Sequence, residues 1–171
     1  MATTHVNPTR MELTRLKKKL VTALRGHKLL KDKRDELMRQ FLDLVRENKA
    51  LRQKVEAALE SSNRRFMLAR AAMQDEALNT ALLAPKQEVF LECGTRNVMS
   101  VEIPQFTYKT RTPNQGDIFS YGFAFTSGEL DEAVESLSGI LPDLLRLAET
   151  EKSCQLMAAE IEKTRRRVNA L

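Results

Sequence analysis

The sequence predicts a mainly α protein: a long antiparallel two-helix coiled coil with a small β-hairpin head between the helices. Three observations predict it. Residues 9–84 hold no proline and a single glycine, Gly26, and return an apolar side chain every third or fourth position, the mark of a helix with one narrow seam. Residues 128–171 repeat that pattern, while residues 85–127 replace it with period-two alternation and turn residues. Composition agrees: of 171 residues 30% are charged, and seven Phe, two Tyr, no Trp and six Gly are not the makeup of a packed sheet or barrel.

Residues 1–6 lack periodicity and are expected to be a frayed end, so His5 carries no role. Pro8 and a Thr9-x-x-Glu12 capping box then start the first helix. With Leu13 at heptad position a, the a series is Leu13, Leu20, His27, Arg34, Phe41, Asn48, Val55, Ser62 and Ala69, and the d series is Leu16, Ala23, Leu30, Leu37, Leu44, Leu51, Ala58, Arg65 and Ala72. A rod running unbroken to Pro85 would be about 110 Å long. The polar a positions His27, Arg34, Asn48 and Ser62 are read as fixing register at a cost in stability. His27 has no second ligand at helical spacing, so it is expected to be a hydrogen-bonding seam residue and not a metal ligand.

Charge along this rod is uneven. Arg10, Arg15, Lys17, Lys18, Lys19, Arg25, Lys28, Lys31, Lys33 and Arg34 face only Glu12 and Asp32 before Asp35 and Glu36 arrive. The plain reading is a solvated helix face; the functional one is a contact zone for an acidic or carbonyl-lined surface. No aromatic residue interleaves these basics, which weakens a nucleic-acid reading.

Beyond Pro85, Val89, Leu91 and Cys93 alternate with Glu88, Phe90 and Glu92. After Gly94-Thr95-Arg96-Asn97 the alternation resumes at Met99, Val101 and Ile103. The pattern predicts a hairpin turning at Gly94–Asn97, with Pro104 ending its second strand and an irregular loop over residues 105–117 turning at Pro113-Asn114-Gln115-Gly116. Phe106, Tyr108, Phe119, Tyr121, Phe123 and Phe125 are expected to hold this head together, with docking as the sharper alternative.

A second Thr-x-x-Glu box, Thr126 to Glu129, starts the second helix, whose seam reads Leu130, Ala133, Leu137, Ile140, Leu144, Leu147, Cys154, Ala158, Ile161 and Val168. Gly139 and Pro142 should bend it, because Pro142 removes the bond to the Ser138 carbonyl. The parts are thus a coiled-coil helix over residues 9–84, a hairpin and aromatic loop over 85–127, and a returning helix over 128–171. The second helix is about half the length of the first, so it should cover only residues 41–84 and leave Leu13, Leu16, Leu20, Leu24, Leu30 and Leu37 without a partner. The run Arg165 to Leu171 holds no stop signal, so the natural chain is expected to continue as helix.

Chemistry-bearing motifs are missing: there is no phosphate loop, no Cys or His pair at metal spacing, and no nucleophile beside a base. No catalytic residue, cofactor or metal is expected, and an enzyme is disfavoured. Carboxylate pairs such as Asp35-Glu36 and Glu149/Glu151 read as solvated ion pairs. Cys93 and Cys154 read as reduced thiols, Cys154 as a small seam residue. No apolar run is long enough to span a bilayer. A charge of +5 makes acidic partners plausible. At this point the open classes are a structural or tethering coiled coil and a basic nucleic-acid-binding rod.

Four blocks carry a resemblance. Asn7-Pro8-Thr9-Arg10-Met11-Glu12-Leu13 with Leu16-Lys17-Lys18, the run Arg25 to Leu37, the run Arg96 to Pro104 and the run Lys163 to Leu171 resemble the D subunits of V-type (also archaeal A-type) rotary ATPases. The resemblance implies a non-catalytic central rotor axle that couples ATP hydrolysis or synthesis to ion translocation and lies peripherally on the cytoplasmic side of a membrane. It implies as partners a ring of catalytic A and nucleotide-binding B subunits, the small F subunit of the central stalk, and a connector on the membrane rotor ring, with no nucleic acid and no membrane insertion. On that basis Arg10, Arg15, Lys17, Lys18, Lys19, Arg25, Lys28 and Arg34 are ring-contact candidates. Val89, Leu91, Met99, Val101 and Ile103 are candidates for the small partner, the aromatic loop for the connector side, and Gly139 and Pro142 for an asymmetry-giving kink.

Overall fold

The computed structural model describes residues 7–111, 118–122 and 126–170. His5, the expected turn at Pro113 to Gly116, and Phe123, Phe125 and Leu171 lie outside them. Helix α1 spans Arg10–Ala72, 63 residues. Thr9 caps it in extended backbone, its hydroxyl accepting from the Glu12 amide at 3.3 Å. This is the half of the expected box that satisfies an otherwise orphaned donor.

The first helix does not reach residue 84. The chain turns extended at Met73 (φ −116, ψ 156) and Gln74, and a short α2 occupies Asp75–Leu82. Asp75 and Glu76 sit in its first turn, where the helix dipole favours negative charge. Arg70 Nε donates to Asp75 Oδ1 across the corner at 3.1 Å. The chain turns at this break, and Leu78 and Ala81 are buried with Ala69 and Leu130 in a lower core. Their burial offsets the helical continuity lost over Met73 and Gln74.

Strands β1 (Val89–Val98) and β2 (Val101–Thr110) pair antiparallel, from Val98 opposite Val101 to Val89 opposite Thr110. The turn is therefore Met99-Ser100 and not Gly94–Asn97: both central residues have positive φ, 51 and 71. That is the two-residue geometry whose twist matches paired strands. The Asn97 side chain accepts the Ser100 amide at 3.0 Å and fixes it. Gly94 lies mid-strand opposite Gln105, and Pro104 is inside β2, not at its end. The Phe106 amide donates outward to Glu149 Oε2 at 3.2 Å. Amides two apart point the same way, so the N–H that Pro104 lacks belongs to that outer edge and no ladder bond is lost. Residues 105–110 are thus strand where an irregular loop was expected.

Helix α3 spans Gly128–Ala170 and runs antiparallel to α1. Its entry differs from a Thr-x-x-Glu box: the Thr126 hydroxyl donates to the Gly122 carbonyl at 2.9 Å. Its buried line is Leu130, Ala133, Ile140, Thr150, Ser153, Met157, Ile161, Thr164 and Val168. Leu137 is exposed, as is Ala158, while Leu144, Leu147 and Cys154 are only half-buried. A reading that skips polar residues misses this seam, because Thr150 and Ser153 hide their hydroxyls on the carbonyls of Arg146 (2.8 Å) and Glu149 (2.7 Å).

The hairpin does not cap the end of the pair. It lies back along it, and Val101 and Ile103 complete an upper core with Leu37, Met157 and Ile161. Helix α3 also reaches further along α1 than residue 41: Leu37 is fully buried, Leu30 is half-buried, and Lys33 meets Glu160 at 3.6 Å. Early loss of α1 at Ala72 shifts the overlap toward the N-terminus. Leu13, Leu16, Leu20 and Leu24 stay exposed, as expected. Among the described residues the aromatics do not form one head: Phe106 and Tyr108 ride on β2, whereas Tyr121 packs on the lower core and meets Phe119 edge-on at 6.1 Å.

Candidate functional site

Three surfaces on this scaffold expose apolar side chains. The first is the bare start of α1. Arg10, Arg15, Lys17, Lys18, Lys19, Arg25 and Lys28 are exposed, whereas Arg34 is half-buried and committed to Asp35, Nη2 to Oδ1 2.6 Å. Among the described residues the only other ion pairs here are Arg15 with Glu12 and Lys33 with Glu160, both at 3.6 Å. Interleaved with the cations, Met11, Leu13, Leu20, Leu24 and Leu29 are more than half exposed. This stretch thus offers a positive coat around an apolar stripe, able to meet acidic and apolar surfaces together.

The second is the hairpin. Its register puts Val89, Leu91 and Cys93 on one face with Phe106 and Tyr108, and Val89, Leu91 and Tyr108 are exposed. Val101 and Ile103 are not part of any surface: they are 6% and 4% exposed inside the upper core. Met99 is half-buried, its sulfur 3.8 Å from Gln40 Nε2. The alternation that selected all five residues identifies a face, but after the true turn the pairing puts Val101 and Ile103 on the opposite face from Val89 and Leu91. Tyr108, named among the head aromatics with docking as the alternative, joins this face because β2 runs past Pro104 to Thr110, whereas Phe90, also exposed, falls on the polar side of the alternation.

The third is the foot, where Leu82 and Leu83 of the α2 end and Met67 and Leu68 of the α1 end are exposed. Tyr121 ties the foot to α3 by donating to Asp131 Oδ1 at 2.8 Å. Burial first, and then the Asp131 carboxylate, push the phenol's pKa far up, so this donor stays protonated.

Helix α3 is continuous through Gly139 and Pro142. Pro142 is exposed, and a Cβ at Gly139 would meet nothing within 4 Å, so neither residue is there for close packing. His27 is half-buried. Cys154 is half-buried between the helices, where burial, then Glu151 and Glu47, raise its pKa and keep it a thiol; Cys93 is an exposed thiol. Among the described residues no three His, Cys, Asp or Glu side chains gather as a metal would require, and no helix is long and apolar enough to cross a membrane.

Comparison with known proteins gives one result. The profile of the family described as the ATP synthase D subunit matches residues 12–171. The chain is 62% identical over 171 residues to the V-type ATP synthase D subunit of Clostridioides difficile (strain 630), covering all of this chain and 77% of the relative. It is 61% identical to the protein of the same description in Acetivibrio thermocellus, with the same coverage. The corresponding protein of Clostridium novyi (strain NT) is 57% identical over 172 residues, and 80% of its length is covered.

Proposed function

The chain belongs to the family of ATP synthase D subunits, and from that membership we propose how its surfaces serve a central stalk subunit of a V-type ATPase. It is a stalk subunit, not the catalytic one, and part of a rotary complex. The observation that carries the mechanical reading is the α1 and α3 pair: two helices gripping each other along most of α3, closed by an apolar core at each end. Such a pair resists twisting in a way that one helix cannot, so it can pass torque between the catalytic ring and the membrane rotor, coupling ATP hydrolysis or synthesis to ion translocation.

Within that reading the exposed cations from Arg10 to Lys28 stand in the bearing formed by the A and B subunits. Screened contacts there are weak enough to exchange from one ring subunit to the next as the stalk turns. The face of Val89, Leu91 and Tyr108 receives the small F subunit. The foot at Leu82 and Leu83 meets the connector on the membrane rotor ring. Gly139 and Pro142 give the stalk its asymmetry, and the protein works peripherally on the cytoplasmic side. The tethering and nucleic-acid readings are not favoured by relatives described as V-type ATP synthase D subunits.

The test uses the exposed Cys93 thiol, which a maleimide should reach in preference to Cys154. A bead fixed there is followed after reconstitution of the catalytic hexamer with this chain. ATP-driven rotation is expected. A hexamer that never captures the chain would defeat the assignment.

A further inference from the structure

The two edges of the hairpin are not alike. On β2 the backbone groups of Pro104 and Phe106 point outward, and these residues stand opposite Thr95 and Cys93. Facing residues in an antiparallel pair either exchange both backbone bonds or turn both sets of groups away. The N–H and C=O of Val89, Leu91, Cys93, Thr95 and Asn97 are therefore turned outward from β1. Helix α3 packs against β2, and Glu149 takes its outer amide at Phe106. β1 has no such cover: every residue from Val89 to Asn97 is exposed, and among the described residues these outward groups have no partner.

An open edge of this length is a template for another strand. The order of side chains along it says which strand fits. Laid antiparallel on a second copy about a two-fold axis at Gly94, Cys93 meets Thr95 and Leu91 meets Asn97, all outward-facing residues able to exchange backbone bonds. On the other face Phe90 meets Val98 and Glu92 meets Arg96, and the symmetry repeats each contact. Moving the axis to Cys93 or to Thr95 sets Glu92 or Arg96, respectively, opposite Gly94 and loses both charge pairs. Arg96 has no carboxylate partner among the described residues, while the Glu92 carboxylate meets Lys109 in an exposed pair at 3.2 Å. Gly94 answers no need within its own copy: the register runs through it without a bulge, its φ is not positive, and a Cβ there would lie 3.5 Å from the Gln105 carbonyl oxygen, an ordinary contact. Glycine inside a strand often marks a place where another backbone comes close.

We propose that the free chain pairs with a second copy of itself through β1, antiparallel about Gly94, making one continuous sheet held by Glu92 and Arg96 of opposite copies. The contact is a property of the chain alone and does not depend on the stalk reading. Its area is that of a single strand pair, so the dimer is weak and reversible, and strongest at low salt. Sedimentation of the full chain over a range of concentrations tests it. Thr95→Pro removes an outward N–H that the hairpin does not use, and should abolish dimerisation while circular dichroism stays that of the parent. Glu92→Arg alone and Arg96→Glu alone each set like charges opposite one another, and each should weaken self-association about fivefold or more. An equal mixture of these two variants restores both charge pairs and should dimerise as the parent does. A chain that stays monomeric at every concentration overturns the proposal and leaves the edge to a strand of a different protein. A dimer that Thr95→Pro leaves intact also overturns it, placing the contact on another surface such as the exposed stripe of Leu13, Leu20 and Leu24. So does a mixture that associates no better than either variant alone.

Discussion

Leu37 shows how one side chain can close a shaft. It has no exposed surface and touches both the returning helix and the hairpin, through Met157, Ile161, Val101 and Ile103. Leu37→Ala removes its share of burial and leaves a gap that two helices and a strand cannot all collapse into. A loss of about 2–5 kcal/mol in urea unfolding is expected. Its neighbour Glu36 points outward, where Arg39 (2.9 Å from Nε) and Gln40 (2.8 Å) donate to its carboxylate. Those bonds favour the charged form and lower the pKa from 4.5 to about 2. Because the folded value lies below the unfolded one, whatever stability this group contributes is complete above about pH 4.5 and is lost as pH falls toward about 2. An NMR titration of the Glu36 carboxyl should find its midpoint near 2 at low salt, with Glu36 moving upward as salt screens Arg39.

At the level of elements, the hairpin carries the clearest prediction. Ser100 sits at φ 71, a conformation that crowds any Cβ. Ser100→Gly should stabilise the chain by about 1 kcal/mol, while Ser100→Val should destabilise it, both read by thermal unfolding. The hairpin was legible as two alternating runs, but its turn was not. Gly94 to Asn97 carries stronger turn chemistry than Met99-Ser100, and only the fit of Val101 and Ile103 onto Leu37 and Met157 decides the register. The long helices were legible because a period near seven survives without tertiary knowledge, and so was the exposure of Leu13 to Leu24. The line of α3 that faces α1 was not, since Thr150, Ser153 and Thr164 look like surface residues until their hydroxyls are accounted for. The corner at Met73 depends on burying Leu78 and Ala81 against Leu130, a contact between distant parts of the sequence. Its one local trace is the acidic pair Asp75-Glu76 opening a helix turn.

Taken whole, the molecule is charged unevenly along its length. The overlap of α1 and α3 is laced with ion pairs, such as Glu47 with Arg146 and Lys54 with Asp143, that neutralise one helix with the other. Beyond the reach of α3 the cations of α1 have little of this, and Lys17, Lys18 and Lys19 stand exposed around the stripe of Leu13, Leu20 and Leu24. If this end is the bearing within the catalytic ring, as proposed above, its charge should govern encounter more than fold. The triple change Lys17→Glu, Lys18→Glu and Lys19→Glu replaces exposed side chains on an exposed helix face, so helix content and unfolding temperature should barely move. Association with the catalytic hexamer should slow by roughly tenfold or more at low salt, because the steering field at that end is reversed over three positions. Raising the salt shortens the range of that field and should close most of the gap between variant and parent. Dissociation should change less than association, since exposed ion pairs contribute little once the apolar stripe is seated. A stopped-flow titration at two salt concentrations separates these terms. Equal association rates for parent and variant at low salt would show that the positive coat has no part in the bearing, leaving Leu13, Leu20 and Leu24 as the surface that the ring holds.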